Sequence, residues 1–192
     1  MNLTSHFIGI KINGRAFADL FVKLQQYLRK NDIEQAIELQ DIHSLHVSLY
    51  YLQKEISPQE RNNINNTTEA LTKSHKDFIL TSNHVAYFKK AETDYLGYIE
   101  CSQVQKLSVL NSQLAKKYKK DQILENQYTY IPHISLFRVM NHKLFIIHRE
   151  NINNIIEQQL NDINNENLFQ GFYLFEVNSK FHPEIQFIVN SF

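Results

Sequence analysis

Apolar positions along this chain alternate between two periods, and the changes of period mark its elements. Residues 7–12 form a short apolar run stopped by Asn13-Gly14, which predicts a buried strand and a turn. In residues 16–30, Phe17, Leu20, Phe21, Leu24, Tyr27 and Leu28 recur at spacings of three and four, the stripe of an amphipathic helix. A strand follows over residues 44–53. Ser57-Pro58 with Glu60 close behind predicts a capped helix running to about Lys73. Residues 78–88 and 95–101 read as strands joined by a polar turn. Residues 103–119 read as a helix with Val104, Leu107, Leu110, Leu114 and Tyr118 on one face. Residues 128–139 predict another strand, 144–147 a brief strand or loop, and 152–160 a helix. Residues 172–177 and 185–189 predict a closing hairpin around Phe181-His182-Pro183.

No Pro-, Gly- or Ser-rich linker interrupts this order, so residues 1–192 are expected to form one domain. Forty-three per cent of the chain is apolar, 12% is aromatic, and it has only four glycines and three prolines, a composition that argues against disorder. No apolar run approaches the roughly 18 residues of a membrane span, so no membrane partner is expected. Twenty basic residues balance 20 acidic ones. A protein that wraps long duplex nucleic acid needs a basic surface to displace counterions; neutrality points instead to a small nucleotide or an RNA end. The local cluster Lys116, Lys117, Lys119 and Lys120 reads as the solvated last turn of a helix, where cations suit the macrodipole. Cys101 is the only cysteine, which rules out an internal disulfide and fits a reducing cytoplasm. The N-terminus lacks the pattern of a secretion signal. The expected state is a cytoplasmic monomer.

Two of the strands carry the same short motif. Residues 45–51 read Leu-His-Val-Ser-Leu-Tyr-Tyr and residues 132–138 read Pro-His-Ile-Ser-Leu-Phe-Arg, with His46 and His133 separated by nearly half the chain. Repetition of strand pattern, histidine, serine, leucine and aromatic residue sets the pair apart from a chance match. It predicts an α+β fold of two related lobes whose antiparallel strands meet at a central cleft, with helices outside. Side chains alternate along a regular strand, so His46, Ser48 and Tyr50 share one face, as do His133, Ser135 and Phe137.

Histidine titrates nearest neutral pH. One imidazole can take a proton from water while the other donates one to a leaving oxygen. Ser48 and Ser135 can hydrogen-bond phosphate oxygens where charge builds up. The scheme requires no cofactor and no metal. His43 and His46 point to opposite faces of a strand, and no His-Glu-x-x-His or paired-cysteine motif occurs. Tyr50 and Phe137 have two readings, stacking a base or packing beside the imidazoles. Tyr128 and Tyr130 share the parity of His133, which would let Tyr130 reach a substrate. Arg138, on the opposite face of a regular strand, is either a phosphate or ribose contact at the cleft rim or one half of an ion pair.

These two motifs resemble the paired His-x-Thr/Ser signatures of the 2H phosphoesterases, and the second is most similar to that of the RNA 2′,3′-cyclic phosphodiesterases, also called 2′-5′ RNA ligases. The resemblance implies a fold of two pseudo-symmetric lobes and hydrolysis of a 2′,3′-cyclic phosphate to a 2′-phosphomonoester. It further implies His46 as proton donor, His133 as the base that activates water, and Ser48 and Ser135 as phosphate ligands. The chain departs from that branch in having serine at both positions where threonine is commoner, and Gln53 after Leu52 where a glycine often follows. The alternatives are the same chemistry on 2′-5′-linked oligoadenylates or cyclic oligonucleotides, and an RNA-end-binding module without turnover.

Overall fold

In the computed structural model, which describes residues 5–52, 56–90, 93–118 and 130–177, the chain is an α+β structure of two antiparallel sheets. Strand β1 (Ser5–Ile12) leads through a 3-10 turn into helix α1 (Ala18–Lys30). Strands β2 (Ile37–Leu39) and β3 (His46–Leu52) are followed by helix α2 (Pro58–Ser74), strands β4 (Ser82–Lys90) and β5 (Thr93–Cys101), and helix α3 (Val104–Tyr118). Strand β6 (His133–Val139), helix α4 (His142–Asn164) and strand β7 (Phe169–Val177) complete the described order. One sheet runs β3-β1-β7 and the other β2-β6-β5-β4. Each therefore takes a strand from the other half of the chain: β2 joins the second sheet and β7 the first. Helix α2 packs on β7, α3 on β3, and α4 on β4 and β5 with α1 against it.

Local chemistry accounts for the helix boundaries. Ser57 and Glu60 form a reciprocal capping box with Pro58 in the first turn, which satisfies amide groups that a helix start leaves orphaned. Asn141 caps α4 by accepting from the Leu144 amide at 3.3 Å. That cap corrects the expectation for residues 144–147, which form the first turns of α4 rather than a strand or loop. Phe145, Ile152, Ile156, Leu160 and Ile163 lie buried along one side of this long helix.

Two other expectations change. Sheet pairing begins at Ser82, not at residue 78; Phe78 and Leu80 are core residues ahead of the strand. The three-residue strand β2 carried no periodic signal of its own and exists because β6 pairs with it. Of the expected closing hairpin, β7 is paired with β1; residues 181–183, 185–189, Lys119, Lys120 and Tyr128 lie outside the described residues. Among the described residues no helix is long and apolar enough to cross a membrane.

Candidate active site

The two motif strands belong to different sheets but pack close to each other, β3 at the edge of its sheet and β6 inside the other. Both bulge at the same place. In the first motif Gly9 pairs with Ser48 and Ile8 with Tyr50, so Leu49 has no cross-strand partner. In the second, Tyr98 pairs with Ser135 and Gly97 with Phe137, which leaves Leu136 over. An extra residue in one strand resets the alternation of faces beyond it. His46 and Ser48, and His133 and Ser135, stay on the cleft side. Everything after the leucine changes side.

This reset corrects three assignments. Tyr50 and Phe137 do not line the cleft: each is about 1% exposed and belongs to the core, Tyr50 near Tyr118 and Phe137 between Tyr87 and Phe145. A Cβ on Gly97 would stand 2.4 Å from the Phe137 ring, so the glycine makes room for it. Arg138, expected opposite His133, is instead on the histidine side, paired across the sheet with Glu38 and Leu96. Tyr51 takes the matching position in the first motif, its hydroxyl 3.0 Å from Ser48 Oγ. Tyr130 does not point its hydroxyl at a substrate; it donates to the Ser48 backbone carbonyl at 3.1 Å, while Asn111 donates to the Leu49 carbonyl at 2.6 Å. Those bonds occupy the free edge of β3 and tie the chain entering β6 to the first motif.

Each imidazole is held the same way. His46 Nδ1 lies 2.8 Å from the Ser44 carbonyl oxygen and His133 Nδ1 lies 2.7 Å from that of Ile131. A carbonyl can only accept, so both Nδ1 atoms carry hydrogen and each neutral ring keeps its lone pair on Nε2. Neither Nε2 has a protein partner among the described residues. Aromatic rings surround both. Phe7 and Phe175 stack 4.7 Å apart and lie 4.8 and 5.4 Å from His46. Phe88 and Tyr98 stack at 4.3 Å and lie 4.8 and 5.1 Å from His133.

This setting governs the proton affinities. Burial, offset in part by the Ser44 carbonyl and reinforced by the nearby His133, lowers the pKa of His46 to about 4. Burial also lowers that of His133, against the pull of the Ile131 carbonyl. Both are neutral at pH 7 before an anion arrives. Their cross-strand neighbours differ: Lys11 stands directly opposite His46, and Glu100 directly opposite His133. Among the described residues no three His, Cys, Asp or Glu side chains gather as metal ligands would.

Sequence reasoning missed Tyr51, Lys11 and the four flanking rings. One signal for the first lobe was present: Ile8, Ile10 and Ile12 fill one parity of β1, leaving Phe7, Gly9 and Lys11 on the other, which is the cleft side.

No protein-family model matches the chain, and no curated protein sequence matches it. Solved structures do. Escherichia coli LigT complexed with 3′-AMP aligns over 93% of this chain and 91% of its own, with a TM-score of 0.51 at 12% identity. A crystal structure described only as a phosphoesterase gives 0.51 over 92% and 90% at 12% identity. TT0787 of Thermus thermophilus gives 0.51 over 71% and 75% at 18% identity.

Proposed function

We propose that this chain, which has the two-lobed fold of the 2H phosphoesterases, is a phosphodiesterase that opens 2′,3′-cyclic phosphates at RNA ends or on small nucleotides. The observation that carries the reading is the matched pair of imidazoles. Each is fixed through Nδ1 by the carbonyl two residues earlier, and each keeps Nε2 for chemistry. In the reaction one Nε2 removes a proton from water as its oxygen attacks phosphorus. The P–O3′ bond breaks, and the other imidazolium gives its proton to O3′, leaving a 2′-phosphomonoester. Ser48 and Ser135 donate to the non-bridging oxygens, whose charge grows in the transition state. Two positioned acid–base groups and two donors suffice for this step.

The surroundings suggest which histidine does which. Burial pushes His46 down to about 4, so it is the one we assign as the base. His133 is then left as the acid; its cross-strand neighbour Glu100 lies 3.6 Å from His84. This is the reverse of the assignment implied by the motif resemblance. The substrate's negative charge, arriving between them, restores the proton affinity that burial removes.

A second reading keeps the chemistry and enlarges the substrate to a 2′-5′-linked oligoadenylate or a cyclic oligonucleotide. Tyr51, 46% exposed and beside the Phe7 ring that flanks His46, and the half-buried Phe88, beside His133, are aromatic residues near each histidine that a base could stack on. The test is incubation of the purified protein with 2′,3′-cyclic AMP, RNA ending in a 2′,3′-cyclic phosphate, 2′-5′ triadenylate and 3′,3′-cyclic dinucleotides, products resolved by chromatography. Cleavage of the first two selects the leading reading and cleavage of the last two the second. Binding of the RNA ending in a 2′,3′-cyclic phosphate, with no turnover of any of the four, makes the chain an RNA-end-binding module.

A further inference from the structure

We propose that Tyr51 is a positioning residue for Ser48: its hydroxyl donates to Ser48 Oγ and so directs the Ser48 proton at the bound phosphate. The inference rests on the proposed function in taking Ser48 as a phosphate ligand. Serine has no second substituent on Cβ, so its hydroxyl lacks the χ1 restraint that threonine's methyl supplies. In the first motif something else can supply it. The bulge at Leu49 puts Tyr51 beside Ser48 on the cleft side, with the two hydroxyl oxygens 3.0 Å apart. The Tyr51 ring rests against Phe7, centroids 5.3 Å apart and planes 42° apart, so the phenol is held although it is 46% exposed.

A hydroxyl has one proton to give and can accept two. When Ser48 accepts from Tyr51, its own proton is left for another acceptor, and the bond it receives polarises the one it makes. An anionic phosphate oxygen is a far stronger acceptor than a phenol, since charge-assisted bonds are about twice as strong as neutral ones. Bound substrate therefore fixes the direction of the chain: Tyr51 to Ser48 to phosphate. The second motif is built differently. Ser135 has no hydroxyl partner among the described residues, and the position matching Tyr51 is Arg138, opposite Glu38.

The experiment compares wild type, Tyr51→Phe, Ser48→Thr and the double variant. In NMR, three-bond Hα–Hβ couplings report the Ser48 rotamer without turnover. They should show one rotamer in wild type and averaging in Tyr51→Phe, with Ser135 averaged in both. In kinetics on 2′,3′-cyclic AMP, Tyr51→Phe should lower kcat about tenfold with KM nearly unchanged, less than the roughly 10²-fold cost of losing a donor outright. In the Ser48→Thr background the same change should cost little, because the threonine methyl replaces the lost restraint. Averaged Ser48 couplings in wild type overturn the proposal. So does an equal kcat loss in the Ser48→Thr background, which would mean that Tyr51 acts by its own contact. If none of the four proteins cleaves a cyclic phosphate, the proposed function falls, and the couplings still decide the role of Tyr51.

Discussion

The two halves of the cleft share a frame and differ in what they hang on it. Both motif strands present histidine and serine before a bulged leucine, and both fix Nδ1 to the carbonyl two residues back. The neighbours are then exchanged for ones of different character. Lys11 and Tyr51 accompany His46; Glu100 and Arg138 accompany His133. A repeated backbone device sets where the two histidine–serine pairs stand, while the side chains around them are not repeated. The lesson is that internal repetition picks out a candidate site, while its asymmetries appear only once the strands are paired.

The comparison breaks most visibly at the histidines. His46→Ala and His133→Ala should each remove nearly all turnover, on the order of 10²–10⁴ for a lost acid–base group, with circular dichroism and melting curves close to wild type. A non-catalytic module would instead bind RNA ends as before in both variants.

The bulges can be tested through the residues they bury. Phe137→Ala should cost about 3–5 kcal/mol of stability, the usual loss for a buried phenylalanine, read from denaturant melts. A ring lining the cleft, as regular alternation had implied, would cost little stability and shift KM instead.

Acid should weaken both halves in the same direction. The native state holds His46 neutral, with a pKa of about 4, while the unfolded chain protonates it near 6.5. Its contribution is therefore complete above pH 6.5 and is lost as pH falls towards 4, about 3 kcal/mol in all. His46→Gln should flatten the stability curve across that window. His133→Gln should flatten it in the same direction, since burial lowers that group too. A His46→Gln curve parallel to wild type between pH 6.5 and 4 would contradict the burial of this imidazole.

The serines sharpen the comparison at smaller scale. Ser48→Ala and Ser135→Ala should each lower kcat on the order of 10²-fold, the cost of one transition-state donor. The loss should fall mainly on kcat; an effect confined to KM would make them ground-state contacts.

Much of this architecture was legible in the chain because it depended on local rules. Helix starts at Ser57-Pro58, helical stripes in residues 16–30 and 103–119, and the repeated motif all follow from spacing and capping chemistry. What the sequence hid depended on partners. A bulge exists only when a strand is paired, so nothing in Leu-Tyr-Tyr or Leu-Phe-Arg signalled that the second aromatic of one and the arginine of the other would turn to the cleft. Strand β2 and the rings beside each histidine likewise acquire meaning only from residues distant in the chain.

The most direct measurement is turnover of 2′,3′-cyclic AMP, and of a p-nitrophenyl nucleotide phosphodiester whose leaving group needs no proton, by wild type, His46→Ala and His133→Ala in the presence of a chelator. Wild type should cleave both. His46→Ala should fail on both, and His133→Ala should fail on the cyclic phosphate but regain activity on the activated ester. Rescue of His46→Ala instead would exchange the roles of the two histidines. Loss of wild-type activity with chelator, restored by a divalent metal, or retention of cyclic-phosphate cleavage in either variant, would contradict two-histidine catalysis itself.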